Sequence, residues 1–147
     1  MNMSTKVLIV EDSLALCELI REVLAAHGID AHGITDSTQA ASRLMDEKFD
    51  AVFLDVHMPP PDGIELTRRM RRAGPNQAAP IVIITGEKNP GLMARAFQAG
   101  ANLFLFKPVD RIKLLRILRI LQVPMERERQ RSQLEQVDRK VSIDSGQ

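Results

Sequence analysis

Apolar residues fall into short continuous runs rather than alternating ones: Val7-Leu8-Ile9-Val10, Ala51-Val52-Phe53-Leu54, Ile81-Val82-Ile83-Ile84 and Leu103-Phe104-Leu105-Phe106. Runs of that length and kind predict strands buried on both faces of a parallel sheet. Residues 29–34 form a weaker, more polar strand suited to a sheet edge. The segments between them have helical spacing. Over 14–27, Leu16, Leu19, Ile20, Val23 and Leu24 share one face, Asp12-Ser13 stands at the start and Gly28 supplies the stop. Asp36-Ser37 caps a helix to about Glu47, a short helix runs from Ile64 to Arg72, and Asn89-Pro90 opens one that Gly100 stops. Asp110 caps the last, with Leu114, Leu118 and Leu121 on one side. Strand and helix thus alternate five times, which implies right-handed crossovers and an α/β fold with helices on both faces of the sheet. Strand order is not readable from this pattern.

At 147 residues the chain fits one domain, which we place at residues 5–122. A net charge of +1 makes no case for direct nucleic-acid binding or for a membrane surface. No apolar stretch approaches the roughly 20 residues that span a bilayer, and Met1 to Lys6 lacks the apolar core of a signal peptide, so the expected location is the cytoplasm. The lone Cys17 agrees with a reducing compartment and reads as a core thiol. Residues 123–147 change character: they are charged and polar, with Leu134, Val137 and Val141 at helical spacing, and read as a solvated helical extension, tail or linker. His27, His32 and His57 lack the spacing of zinc ligands. Arg68-Arg69 and Arg71-Arg72 read as the solvated end of a helix.

The chemistry collects where strands end. Glu11 and Asp12 follow the first run, Asp55 the third, Thr85 the fourth and Lys107 the fifth. In an open parallel sheet those carboxyl ends form the ligand edge. Three clustered carboxylates repel one another and call for a cation, and Mg²⁺ takes oxygen ligands of this kind and accepts phosphate oxygens as well. A hydroxyl and an amine beside them suit a phosphoryl group, with one carboxylate able to serve as a nucleophile.

These residues resemble a known family. Glu11-Asp12, Asp55 with Met58-Pro59 and Asp62-Gly63, Thr85-Gly86, Ala99-Gly100-Ala101 and Lys107-Pro108 are similar in order and spacing to the receiver domain of two-component response regulators. The resemblance implies a flavodoxin-like (βα)5 three-layer sandwich with a parallel sheet of order 2-1-3-4-5. It makes Asp55 the acceptor of a phosphoryl group from a sensor histidine kinase or phosphotransfer protein. It assigns Mg²⁺ or Mn²⁺ to Glu11, Asp12, Asp55 and the main-chain carbonyl of His57. Thr85 and Lys107 would contact phosphoryl oxygens, and Gly86 would leave room for their approach. Thr85 and Phe104 would form the switch, although Phe104 by itself reads as core packing. The output would be a protein partner or an onward relay, with a homodimer through the 90–121 face as one arrangement that family analogy allows.

The chain departs from the commonest family pattern at Phe104, often Tyr, at His57, frequently Asn, and at Pro60-Pro61, which stiffens the loop beside Asp55. None of these removes a group that phosphotransfer needs. The expected role is a phosphoacceptor signalling module that catalyses only its own phosphotransfer and dephosphorylation. A receiver segment regulating a larger enzyme or DNA-binding protein, with 123–147 as linker, is the alternative. A phosphohydrolase acting on external substrates is disfavoured, because Asp55-Val56-His57 lacks a second carboxylate two residues on.

Overall fold

The computed structural model describes residues 4–123. Five strands, β1 (Lys6–Val10), β2 (Asp30–Ile34), β3 (Ala51–Asp55), β4 (Ile81–Thr85) and β5 (Leu103–Phe106), alternate with five helices. These are α1 (Leu14–Ala26), α2 (Ser37–Asp46), α3 (Gly63–Arg72), α4 (Pro90–Ala99) and α5 (Arg111–Ile120). The sheet is parallel throughout and ordered β2-β1-β3-β4-β5. That is the (βα)5 three-layer architecture and strand order expected from the resemblance. The polar tail expected over 123–147 lies, apart from Val123, outside the described residues.

Successive side chains of a strand point to opposite faces, so each apolar run feeds two cores. Leu8, Val10, Val52, Leu54, Ile81 and Ile83 pack beneath α2, α3 and α4, against Ala40, Leu44, Leu66, Met70, Leu92 and Ala96. Val7, Ile9, Phe53, Val82, Ile84 and Leu105 pack on the other face against Cys17, Ile20 and Leu24 of α1 and Leu114, Ile117 and Leu118 of α5. This accounts for the lack of alternation in β1, β3 and β4. Burying each Val, Leu or Ile contributes about 1.5–3 kcal/mol. Strand β2 has no fully buried residue, as its polar sequence and edge position require.

Each helix start is capped by the side chain the sequence puts there. Ser13 accepts from the Leu16 amide, Asp36 from those of Thr38 and Gln39, and Asp62 from that of Glu65. Asn89 accepts from the Gly91 amide and Asp110 from that of Lys113. Such caps contribute about 1 kcal/mol apiece. At the far end of α4, Gly100 adopts φ 119°, a left-handed conformation that costs glycine nothing, and closes the helix onto Ala96 and Phe97.

Two polar side chains staple the amino-terminal rim of the sheet. The buried Asn76 accepts from the Phe49 amide at 2.8 Å and donates to the carbonyls of Leu44 and Glu47, both at 2.7 Å. Arg71 departs from the solvated reading of its cluster. Its half-buried guanidinium donates to the carbonyls of Gly100, Ala79 and Gln77 and to Asn102 Oδ1, tying the end of α3 to the end of α4. Arg68, Arg69 and Arg72 are exposed, as expected. Replacing Asn76 with Ala strips partners from three main-chain groups, so Asn76→Ala is expected to cost about 2–4 kcal/mol in urea unfolding. Unchanged stability would show that these bonds are not needed.

Candidate functional site

Parallel pairing brings the five sequence candidates to one edge. Glu11 follows β1, and its amide is held by the Ile34 carbonyl at 3.1 Å. Asp55 ends the adjacent β3 and Thr85 ends β4, both buried. In the β3–β4 register Asp55 lies opposite Ile84, so Thr85 stands one residue further out on the same rim. Lys107 follows β5, and its amide donates to the Thr85 carbonyl at 2.9 Å. The loop after it is held by Lys113, whose ammonium donates to the carbonyls of Pro108 at 2.7 Å and Phe106 at 3.3 Å.

One carboxylate oxygen each from Glu11, Asp12 and Asp55 lies within 4.8 Å of the others. Lys107 Nζ bridges two of them, 3.4 Å from Glu11 Oε1 and 3.6 Å from Asp55 Oδ2. The other Asp55 oxygen, Oδ1, accepts from the His57 amide at 3.1 Å, which fixes the carboxylate plane. The Thr85 hydroxyl accepts from the Glu87 amide at 3.1 Å. A Cβ added to Gly86 would meet only Lys107 Cβ, at 3.9 Å, so the protein itself leaves that approach open. Phe104 stands apart from this cluster. It is half-buried on β5, edge-on to Phe97 at 5.1 Å and stacked on Phe106 at 5.8 Å.

Three carboxylates, those of Glu11 and Asp55 buried and that of Asp12 exposed, face a single amine. Burial, with the charge of the neighbouring Asp55 carboxylate, raises Glu11 from its ordinary 4.5 to about 8, and Lys107 only partly offsets this. Glu11 Oε2 is buried with no hydrogen-bond partner, so the protein leaves an acceptor unsatisfied. All-oxygen donors, surplus negative charge and an exposed Asp12 opening to solvent fit a hard divalent cation such as Mg²⁺ or Mn²⁺.

Some neighbours carried no signal in the sequence. His57 Nε2 lies 2.9 Å from Glu87 Oε1 across the mouth of the site, both side chains exposed. Ser37 Oγ donates to the Pro59 carbonyl at 2.7 Å and anchors the proline loop to α2. Gly63 starts α3 hard against the strand end: a Cβ there would collide with the Asp55 carbonyl. The Asp62-Gly63 pair was part of the family resemblance in the sequence; its close approach to the Asp55 main chain was not legible there.

A carboxyl group that holds its proton more tightly when folded stabilises the protein in acid, and that stabilisation fades as pH rises toward the folded value. With divalent cations removed, the melting temperature should therefore fall by several degrees between about pH 5 and about pH 8, beyond any fall in Glu11→Gln. Thermal melts of both proteins test this; equal slopes would mean that Glu11 titrates normally.

Residues 7–119 match the family model of the response regulator receiver domain. Response regulator MprA of Mycobacterium tuberculosis is 32% identical over 119 residues, which cover 81% of this chain and 51% of that protein. The chain thus spans about half the length of the curated relatives it matches. Among solved structures, chemotaxis protein CheY4 of Vibrio cholerae superposes with a TM-score of 0.77 at 27% identity, covering 81% of this chain and 99% of that one. The receiver domain of sensor histidine kinase PA1611 from Pseudomonas aeruginosa, solved with a magnesium ion coordinated in its active-site cleft, superposes at 0.73 with 29% identity, covering 81% and 98%. With the order of its strands and the acid–lysine cluster at their carboxyl edge, the chain belongs to the response regulator receiver domain family of two-component signalling.

Proposed function

We propose that Asp55 is the phosphoacceptor, taking a phosphoryl group from the phosphohistidine of a sensor histidine kinase or phosphotransfer protein. The observation that carries this is Lys107 Nζ standing 3.6 Å from Asp55 Oδ2 while the other Asp55 oxygen is tied to the His57 amide. One oxygen is thereby left facing the incoming group, beside a fixed positive charge. In the transfer, Oδ2 forms a bond to phosphorus as the phosphorus–nitrogen bond of the donor breaks, and the imidazole leaves with that electron pair and takes up a proton. Lys107 and the Thr85 hydroxyl neutralise and orient the phosphoryl oxygens, and Gly86 keeps their path clear. Phosphoryl transfer asks little more of a protein than positioning and charge neutralisation.

Glu11, Asp12, Asp55 and the His57 main-chain carbonyl would hold Mg²⁺ or Mn²⁺, which supplies positive charge for the phosphoryl oxygens when bound. Glu11 gives up its proton on binding it, so metal affinity falls as pH drops below about 8. Thr85 and Phe104 couple the site to the outer face of β5, and the readout is a downstream protein. The module catalyses only its own phosphotransfer and dephosphorylation, and works in the cytoplasm; no described helix is long and apolar enough to cross a membrane. The length of the curated relatives favours a second reading, in which this receiver regulates a larger protein of enzymatic or DNA-binding output.

Incubation with acetyl phosphate and Mg²⁺ should add one phosphoryl group, seen by intact-mass spectrometry, and Asp55→Asn should abolish it. Labelling of Asp55→Asn to the parent level would refute the assignment. Lys107→Ala is expected to slow labelling by about 100-fold, the scale of losing one preorganised charge at a reacting oxygen. A Lys107→Ala protein that labels at the parent rate would remove the amine from the reaction.

A further inference from the structure

The arginines that close α3 take no part in the site at the strand ends, and a second helix brings another to meet them. An open groove of about 360 Å³ runs between α3 and α4. Arg68, Arg71 and Arg72 line it from α3, and Arg95, Gln98 and Ala99 from α4. It lies on the opposite side of α4 from β5: Phe97 turns the other way, edge-on to Phe104, and no described residue of β5 or α5 lines the groove. Arg71 reaches the carbonyls of Ala79 and Gly100, which precede β4 and β5, so the groove sits toward the amino-terminal rim of the sheet, away from Asp55.

Charge in the groove is out of balance. Glu65 meets Arg68 at 3.3 Å but is shared with Arg69 at 3.4 Å. Arg72 and Arg95 make no hydrogen bond or ion pair among the described residues. Arg71 is half-buried, and its partners are neutral: the carbonyls of Gly100, Gln77 and Ala79 and Asn102 Oδ1. Burial pulls its proton affinity below the ordinary value, with no carboxylate to restore it. The helix macrodipole accounts for part of the cluster, since cations are favoured in a last turn and Arg71 and Arg72 stand in that of α3. It does not account for Arg68, a turn earlier, or for Arg95, because the last turn of α4 holds no basic residue. Like charges gathered by two helices repel, and an anion between them would remove that cost.

The lining also says which anion. Among the described residues, no aromatic ring and no carboxylate lines the groove, so it offers nothing to stack on a base or pair with an amine. Its donors are guanidinium forks and the Gln98 amide, which match phosphate oxygens. Arg71 is a charge already fixed in place, while the unpaired Arg72 and Arg95 keep their donors free. We propose that the α3–α4 groove binds a small polyphosphate anion through its phosphate oxygens, either free polyphosphate or the phosphate chain of a nucleotide. A protein segment fits poorly, because Ala99 is the one apolar residue of the lining and leaves little surface to bury. Duplex DNA would need cations spread along an extended face, whereas these converge on one concavity.

The full chain is titrated by calorimetry with pyrophosphate, tripolyphosphate and ATP. EDTA is present throughout, so that no cation carries the ligand to the acidic rim. One ligand should bind per chain, more weakly as salt is raised, and Arg72→Glu and Arg95→Glu should each lower affinity at least about tenfold. Both side chains are exposed and bond to nothing described, so the variants are expected to fold as the parent does. Arg111→Glu makes the same charge change outside the groove and should leave affinity within about twofold. ATP binding at least tenfold tighter than tripolyphosphate identifies a nucleotide as the source, and equal affinities identify free polyphosphate. The proposal is overturned if none of the three binds, or if Arg111→Glu weakens binding as much as Arg72→Glu and Arg95→Glu. It is equally overturned if a DNA duplex or a polyglutamate peptide binds more tightly than all three. Asp55→Asn should bind as the parent does; altered affinity there would move the ligand to the strand ends and refute the groove. The phosphoacceptor assignment is tested separately by phosphoryl labelling and survives any of these failures.

Discussion

Parallel strand pairing gathers the chemistry of this protein. Every strand delivers its last residue to the same rim, and there the backbone must turn away into a loop. Glu11, Asp55, Thr85 and Lys107 are separated by tens of residues along the chain, yet Lys107 Nζ reaches both Glu11 and Asp55 within 3.6 Å. The two apolar cores hold this rim in place from both faces, through Val10 and Leu54 on one side and Ile9, Phe53 and Ile84 on the other. An antiparallel sheet of the same residues would scatter these groups over two edges.

That rim is held in electrostatic imbalance. Glu11 is fully buried, one of its oxygens lacks a partner, and a neighbouring carboxylate pushes its proton affinity upward. A group left unsatisfied in this way lowers stability, and folds retain such groups where a ligand resolves them. The same imbalance appears with its sign reversed between α3 and α4. Arginines of both helices line the groove there, so the molecule presents an acidic site at the carboxyl ends of its strands and a basic groove toward the opposite rim. Arg71 ties that groove to the main chain that leads into β4 and β5.

Much of the fold was legible because local signals agreed. Asp36, Asn89 and Asp110 each cap the helix whose start they mark in the sequence, and Ser13 of the Asp12-Ser13 pair does the same. The site was legible because strand ends are marked by a change from apolar to ionisable residues. Where the reading fell short, the missing information was long-range. Arg71 looked like its exposed neighbours Arg68, Arg69 and Arg72, and only the path of the 76–79 loop and the end of α4 turn it into a hub of carbonyl contacts. Asn76 gave no signal, since its partners lie 27 to 32 residues away. The pairing of His57 with Glu87 likewise depends on two loops meeting.

The sequence by itself determined the alternation of strands and helices, their boundaries within a residue or two, and the chemical identity of the acids, hydroxyl and amine that follow the strand ends. Those follow from periodicity, capping and residue type, which act over a few positions. Tertiary structure decided which charges face one another, that Gly63 must be small against the Asp55 carbonyl, and that arginines of two helices line one groove. Such features arise only when segments far apart along the chain are packed together, because distance in space, rather than spacing in sequence, sets electrostatic and steric energy.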